Sequence, residues 1–222
     1  MSRYQLQQSA SGLCLADTCS RQHPVSIDFV AEASSNRIRK GGASQELLAK
    51  ATGLKKGLRV VDCTAGLGRD AFTLAYLGCD VTMIERSAVM AMLLEDALQR
   101  AECHLKLKEV VSRLRLIRGD AVHVAANLAT VPDVILIDPM FPKRNKTALV
   151  QGDMQLLQRF LGVDEDAAAL LEVSLSCGCP RVVLKRPVHD KSLSGVNPTY
   201  SLKGSTIRFD VFINSAKQTG RL

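Results

Sequence analysis

Val60-Val61-Asp62-Cys63-Thr64-Ala65-Gly66-Leu67-Gly68-Arg69-Asp70-Ala71 is the stretch that decides the fold. A β-branched apolar run ends in an acidic residue, two glycines follow, and the pattern then turns helical. Glycines between a strand and a helix let the backbone pass close to a ligand with no Cβ in the way. Short apolar runs of the same kind recur at residues 58–63 (LRVVDC), 80–85 (DVTMIE), 114–118 (LRLIR), 133–138 (DVILID) and 181–185 (RVVLK), and they read as buried strands. Helical stretches lie between them at 69–77, 87–102, 121–129, 149–161 and 164–176, with a shorter one ahead at 44–51. Residues 200–202 and 206–213 are strand-like and separated by Lys203, Gly204 and Ser205, a turn of the kind that joins antiparallel neighbours. The expectation is an α/β fold, with a mostly parallel sheet covered on both faces by helices and closed by a C-terminal antiparallel hairpin. Residues 1–43 read as an N-terminal extension and 44–222 as the main domain, and the first twenty-five residues carry no legible pattern.

Composition sets the outer limits. The chain has 222 residues, 46% of them hydrophobic, enough for a full core, so disorder is excluded. No apolar run approaches the ~18 residues of a membrane helix, and residues 1–14 are too polar for a signal peptide, which points to the cytoplasm. Seven scattered cysteines suit reduced thiols better than a disulfide framework. Lys and Arg exceed Asp and Glu by 29 to 22, a net charge of +7 that favours polyanionic partners, nucleic acid among them. With no Trp, six Phe and three Tyr, little material exists for stacking successive bases, so such recognition is expected to be electrostatic.

Gly66-x-Gly68-x-x-Ala71 formally fits a dinucleotide fingerprint, which keeps a nicotinamide-dependent oxidoreductase open. The spacing favours another ligand, because Asp62, Cys63, Thr64 and Ala65 come before the first glycine. An acidic residue at the strand end suits a cofactor with an ammonium and a sulfonium, as in S-adenosylmethionine. Glu85, at the tip of the second run, offers two oxygens to a pair of ribose hydroxyls. Asp120, after the third run, stands where an acceptor could meet an adenine amine, although Gly119-Asp120 is also ordinary turn and capping chemistry.

Asp138-Pro139-Met140-Phe141-Pro142 carries the reacting end. Methylating a planar exocyclic nitrogen calls for acceptors aimed at its N–H groups, which turn the lone pair towards the methyl donor. Asp138 and a carbonyl of a turn stiffened by Pro139 supply two, and Phe141 can stack on the base. That chemistry serves guanine N2, adenine N6 or a protein amide alike. Lys143, Arg144 and Lys146 follow, and Lys185 and Arg186 end the fifth run, so these five cations are expected to meet phosphates. Cys177-Gly178-Cys179 lacks a second pair at zinc spacing, and no metal is expected.

The loop at 62–72, Met83-Ile84-Glu85-Arg86, the turn at 138–142, Lys146-Thr147-Ala148-Leu149-Val150, Val182-Val183-Leu184-Lys185-Arg186-Pro187 and Arg208-Phe209-Asp210 together resemble the bacterial small-subunit ribosomal RNA guanine-N2 methyltransferases known as RsmJ. The likeness runs from about residue 27 to 212. It implies a Rossmann-like class I methyltransferase that moves a methyl group from S-adenosylmethionine to N2 of one guanosine in small-subunit ribosomal RNA, free or in the 30S particle, leaving S-adenosylhomocysteine. It also implies cofactor contacts at Arg69, Asp70, Glu85, Arg86, Asp120, Ala121 (through its backbone) and Asp138, with no membrane partner.

Overall fold

The computed structural model describes every residue except Met1, 36–37, 39–40, 141–151, 163–165, 191–192, 194 and 215–222. Its centre is a seven-stranded sheet. The parallel strands are β4 (Arg59–Asp62), β5 (Asp80–Glu85), β6 (Leu114–Arg118), β7 (Val134–Ile137) and β8 (Arg181–Pro187), and the antiparallel pair is β9 (Tyr200–Lys203) and β10 (Ile207–Ile213). They lie in the order β6-β5-β4-β7-β8-β10-β9. The chain enters this sheet at β4, runs outward to β5 and β6, and returns to β7 on the other side of β4. That reversal opens a crevice beyond the carboxyl ends of β4 and β7, where open α/β sheets take their ligands.

Alternation along each strand sends neighbouring side chains to opposite faces. Val60, Val81, Met83, Leu136 and Val183 join one core with Phe72 and Leu94, whereas Val61, Ile84, Ile135, Ile137 and Leu184 join another with Leu170 and Leu171. Both faces are therefore dry. This is why β7 reads as an unbroken apolar run, all four of its residues being buried.

The first core is roofed by α3 (Arg69–Tyr76) and α4 (Ala88–Glu102), and the second by α6 (Ala121–Ala126) and α8 (Ala167–Ser176). Ser87 caps α4 by accepting from the Met90 amide, and Met90, Leu93, Leu94, Ala97 and Ala101 repeat at helical spacing as its buried face. Helix α2 (Ala43–Thr52) precedes β4, and α7 (Gly152–Leu161) lies between β7 and α8. A five-residue helix, α5 (Lys108–Ser112), was not expected from the sequence. The third and fifth expected helices are shorter than their patterns suggested, α6 stopping at Ala126 and α8 starting at Ala167.

The unread N-terminal stretch forms an antiparallel meander of β1 (Tyr4–Ser9), β2 (Gly12–Asp17) and β3 (Val25–Ser26), followed by α1 (Phe29–Ser34). Asp17 is buried and accepts from both Arg3 Nε and Nη2, at 3.1 and 3.0 Å. The meander docks on α4, where the Leu13 amide donates to Asp96 at 3.0 Å. Tyr4 meets Phe160 of α7 edge to face at 5.1 Å, and Gln22 bonds to Gly152 and Arg159 of the same helix. Phe29 is stacked on Phe72 with centroids 4.8 Å apart.

Gly68 stands where α3 begins, at φ +68°, and a Cβ there would lie 2.9 Å from both Leu94 Cδ2 and Phe29 Cζ. The glycine lets the loop close down onto the Phe29–Phe72 stack. Gly68→Ala is expected to cost about 1–3 kcal/mol, from left-handed strain and overpacking, in urea unfolding. A loss below about 0.5 kcal/mol would show that the loop accommodates a side chain there.

Candidate active site

Burying a carboxylate is costly unless donors meet it, so the acidic residues at the carboxyl edge of the sheet reveal how the site is built. Asp62 ends β4, is 3% exposed, and accepts from the Thr64 amide at 3.1 Å. Glu85 ends β5 and is 8% exposed. Its Oε2 accepts from the Gly66 amide at 3.0 Å and its Oε1 from the Ser87 amide at 2.7 Å, so one carboxylate ties the glycine loop to the start of α4. Gly66, at φ +53°, turns its amide towards Glu85 in a conformation that glycine adopts without strain.

Asp138 follows β7, and its amide donates to Thr64 Oγ1 at 2.6 Å. The turn that carries Pro139 is thereby fixed to the loop after β4. Lys185 of β8 reaches into the same place. Its Nζ lies 2.7 Å from Asp70 Oδ2 and 2.7 Å from Asp138 Oδ2. Asp70 belongs to the first turn of α3, so one ammonium bridges the glycine-loop helix and the Asp138 turn.

Burial pushes the Asp62 carboxyl up to about 7; the Thr64 amide and Lys185 oppose the rise, and Asp70 and Asp138 add to it. Burial acts to lower the Lys185 ammonium, but Asp138 and Asp70 outweigh it, and the group is held above the ordinary lysine range. Lys185 is therefore a fixed cation at any physiological pH. The Cys63 thiol is pushed well up by burial, then by Asp62, and stays protonated, which suits a packing role.

These groups line a cavity of about 560 Å³. Asp62, Gly66, Arg69, Asp70, Glu85 and Arg86 border it from the first two strand ends, and Asp120, Ala121, Asp138 and Pro139 from the next two. Asp120 also caps α6, accepting from the Val122 amide at 2.8 Å, so its capping and site roles are compatible. Arg86 pairs with Asp166 at 2.8 Å and Arg69 with Asp153 at 3.8 Å, both half-exposed at the rim. Met154, Leu157 and Leu161 of α7 and Leu170 of α8 supply an apolar wall that no motif marked.

Two expectations need correction. Lys185 does not face outward to phosphates, because two carboxylates take up its charge. Arg186 borders the cavity, but its side chain is 2% exposed and pairs with Asp190 at 2.9 Å and Asp210 at 3.5 Å, so it braces β8 against β10. Gly68 packs beneath the loop, against Leu94 and Phe29. Phe141, Lys143, Arg144 and Lys146 lie outside the described residues. Thr64 was missed, and its signal was a hydroxyl two residues past a strand-end aspartate. Among the described residues there is no cluster of His, Cys, Asp and Glu fit to hold a metal, and no helix long and apolar enough to cross a membrane.

Residues 1–214 match the family model described as putative SAM-dependent methyltransferase. The chain is 45% identical over 213 residues to ribosomal RNA small subunit methyltransferase J of Ectopseudomonas mendocina, covering 94% of this chain and 82% of that one. The chain belongs to this family. To the protein of the same name from Pseudomonas aeruginosa it is 44% identical over 200 residues, covering 89% and 77%. The crystal structure of a SAM-dependent methyltransferase from Neisseria gonorrhoeae superposes with a TM-score of 0.78 at 31% identity, covering 97% of this chain and 84% of that one. The methyltransferase family and its class I fold thus replace the nicotinamide-dependent reading that the glycine spacing had left open.

The Asp62 carboxyl also sets a pH dependence. The unfolded chain releases this proton near pH 4, whereas the folded protein holds it to about 7, so folding binds the extra proton in between. This contribution to stability is therefore present below pH 4 and lost as pH rises, by up to about 1.4 kcal/mol per pH unit, until the folded group also ionises. Asp62→Asn is expected to remove it, so the stability of the variant relative to the parent should rise between roughly pH 4 and 7 in urea melts. A pH-independent difference would place the carboxyl in the ordinary range.

Proposed function

We propose that this protein transfers a methyl group from S-adenosylmethionine to the exocyclic N2 of one guanosine in small-subunit ribosomal RNA, in the cytoplasm, leaving S-adenosylhomocysteine. The observation that carries the reading is the convergence of Asp62, Glu85 and Asp138, from three adjacent strand ends, on one cavity in a chain of this family. The relatives' name supports the RNA class, the Asp138-Pro139-Met140-Phe141-Pro142 turn supports a planar amine as acceptor, and guanine N2 rests on the family resemblance as a whole.

The donor set suits the cofactor, since buried carboxylates at the ends of β4 and β5 complement a ligand bearing an ammonium, a sulfonium and ribose hydroxyls. When bound, S-adenosylmethionine supplies a methyl group on a positively charged sulfur. Asp62 attracts the cationic end, Glu85 accepts from ribose hydroxyls, and Asp120 accepts from the adenine amine. Arg69, Asp70, Arg86 and the Ala121 backbone complete the cofactor's surroundings.

Asp138 accepts an N–H of the target amine, and the carbonyl in the proline-stiffened turn accepts the other, which directs the nitrogen lone pair at the methyl carbon. Transfer of the bound cofactor's methyl group to that nitrogen would leave the C–S bonding pair on the sulfur of S-adenosylhomocysteine and release the amine proton to solvent. Lys185 stays protonated and does not take it. Phe141 stacks on the base, and Lys143, Arg144 and Lys146 meet the flanking phosphates.

Asp138→Ala is expected to lower kcat for methyl transfer by about 10²–10³-fold, with a much smaller effect on S-adenosylhomocysteine affinity by calorimetry. Full turnover in that variant would remove Asp138 from the mechanism.

A further inference from the structure

Lys185, which lines the cavity, has no part in this reaction, and three roles could explain it. As a general base it would have to be neutral, but two carboxylates at 2.7 Å hold the proton on it. As a phosphate ligand it would have to present its charge to solvent, but its side chain is only 18% exposed and its charge is compensated twice. The third role is to act on a neighbour. Asp70 enters from the first turn of α3 with its side chain 11% exposed, Asp138 follows β7 at 38%, and Asp62 lies at the end of β4. Three acids crowd one another here; Asp62, the most buried, holds its proton to about 7, and without a cation between them Asp70 and Asp138 would each oppose the other's ionisation. A protonated Asp138 would offer an O–H where the reaction needs an acceptor.

We propose that Lys185 is a positioning residue that keeps Asp138 ionised and aimed as a hydrogen-bond acceptor for the target amine, and that Asp70 tunes this by competing for the same ammonium. The proposal rests on the methyl-transfer reading of Asp138. Charge and geometry act together. The Thr64 hydroxyl fixes the Asp138 backbone from one side and the ammonium fixes its carboxylate from the other, so the side chain is set before substrate arrives. The acids that face the ammonium have opposite effects. Asp138 is the partner to be held, Asp70 shares the cation, and Asp62, which keeps its proton to about 7, adds negative charge only above that pH. Glu85, at the end of β5, is occupied by the Gly66 and Ser87 amides, and Arg69 is turned to Asp153.

The test uses the full chain with ¹³C-labelled aspartate carboxyls, Asp138 being assigned by the signal lost in Asp138→Asn, and sets its titration beside the pH profile of kcat at saturating cofactor. Lys185→Met should move both the Asp138 titration and the acidic limb of kcat upward by about one pH unit or more, with about tenfold or greater loss at neutral pH that is partly recovered at higher pH. Lys185→Arg should restore the limb. Because Lys185→Met leaves two acids without their cation and could fail to fold, Asp70→Asn provides the second arm. It removes the competitor, and both the titration and the limb should move downward.

An unshifted Asp138 carboxyl in both Lys185→Met and Asp70→Asn overturns the proposal. So does a loss in Lys185→Met that appears only in KM for RNA, or equally at every pH. Absence of any methyl transfer by the parent protein would overturn the functional reading instead, and the carboxyl titration would still decide whether the ammonium controls Asp138.

Discussion

Carboxylates withdrawn from water at the edge of a sheet must be met by donors, and the pocket is organised by how each is met. Glu85 is met by two backbone amides, which fixes the glycine loop relative to α4. Asp62 has the Thr64 amide as its donor and is so deeply buried that its ionisation is delayed to near neutrality. Asp70 and Asp138 share the Lys185 ammonium. Removing one partner from such a set leaves an uncompensated charge, which is far more costly than the pair itself is stabilising. Loop, helix and turn therefore hold one arrangement together, and a cationic cofactor would enter a site already biased towards positive charge.

The same acids divide by environment into different chemistry. Asp62 is almost fully buried at the cavity wall, where it is poised to ionise against a positive ligand, while Asp138 is more exposed and has a fixed cation beside it. Thr64 links the two, its amide serving Asp62 and its hydroxyl receiving the Asp138 amide. The N-terminal meander contributes from a distance. It touches α7 through Tyr4 and Gln22, and α7 is the helix whose Met154 and Leu157 form the apolar wall of the cavity.

Much of the fold was legible because both faces of the central sheet are covered. Runs such as Val134-Ile135-Leu136-Ile137 have no polar alternation to confuse them, and Asp62, Glu85 and Asp138 mark where the strands stop. The meander was illegible for the opposite reason. Tyr4-Gln5-Leu6-Gln7-Gln8-Ser9 is mostly polar and has no buried residue, and β3 is only two residues long, so nothing local separates either from a loop. Helix α5, at five residues, is too short to show a period. In the site, the acidic residues were readable from their positions, but the surroundings of Lys185 and Arg186 were not. A lysine at a strand end looks the same in sequence whether it faces a phosphate or an aspartate, and only the approach of α3 and the β7 turn decides that Lys185 meets Asp70 and Asp138. Arg186 differs from it by one position and so points to the other face, where Asp190 and Asp210 enclose it.

Methylation of guanine N2 in ribosomal RNA is the activity proposed for this carboxylate-lined pocket. Its most direct test supplies labelled methyl on S-adenosylmethionine to small ribosomal subunits, and to free ribosomal RNA, from cells lacking this protein, followed by nucleoside analysis. Label is expected in N2-methylguanosine. Label confined to a different nucleoside, or none in RNA from either source, would contradict it.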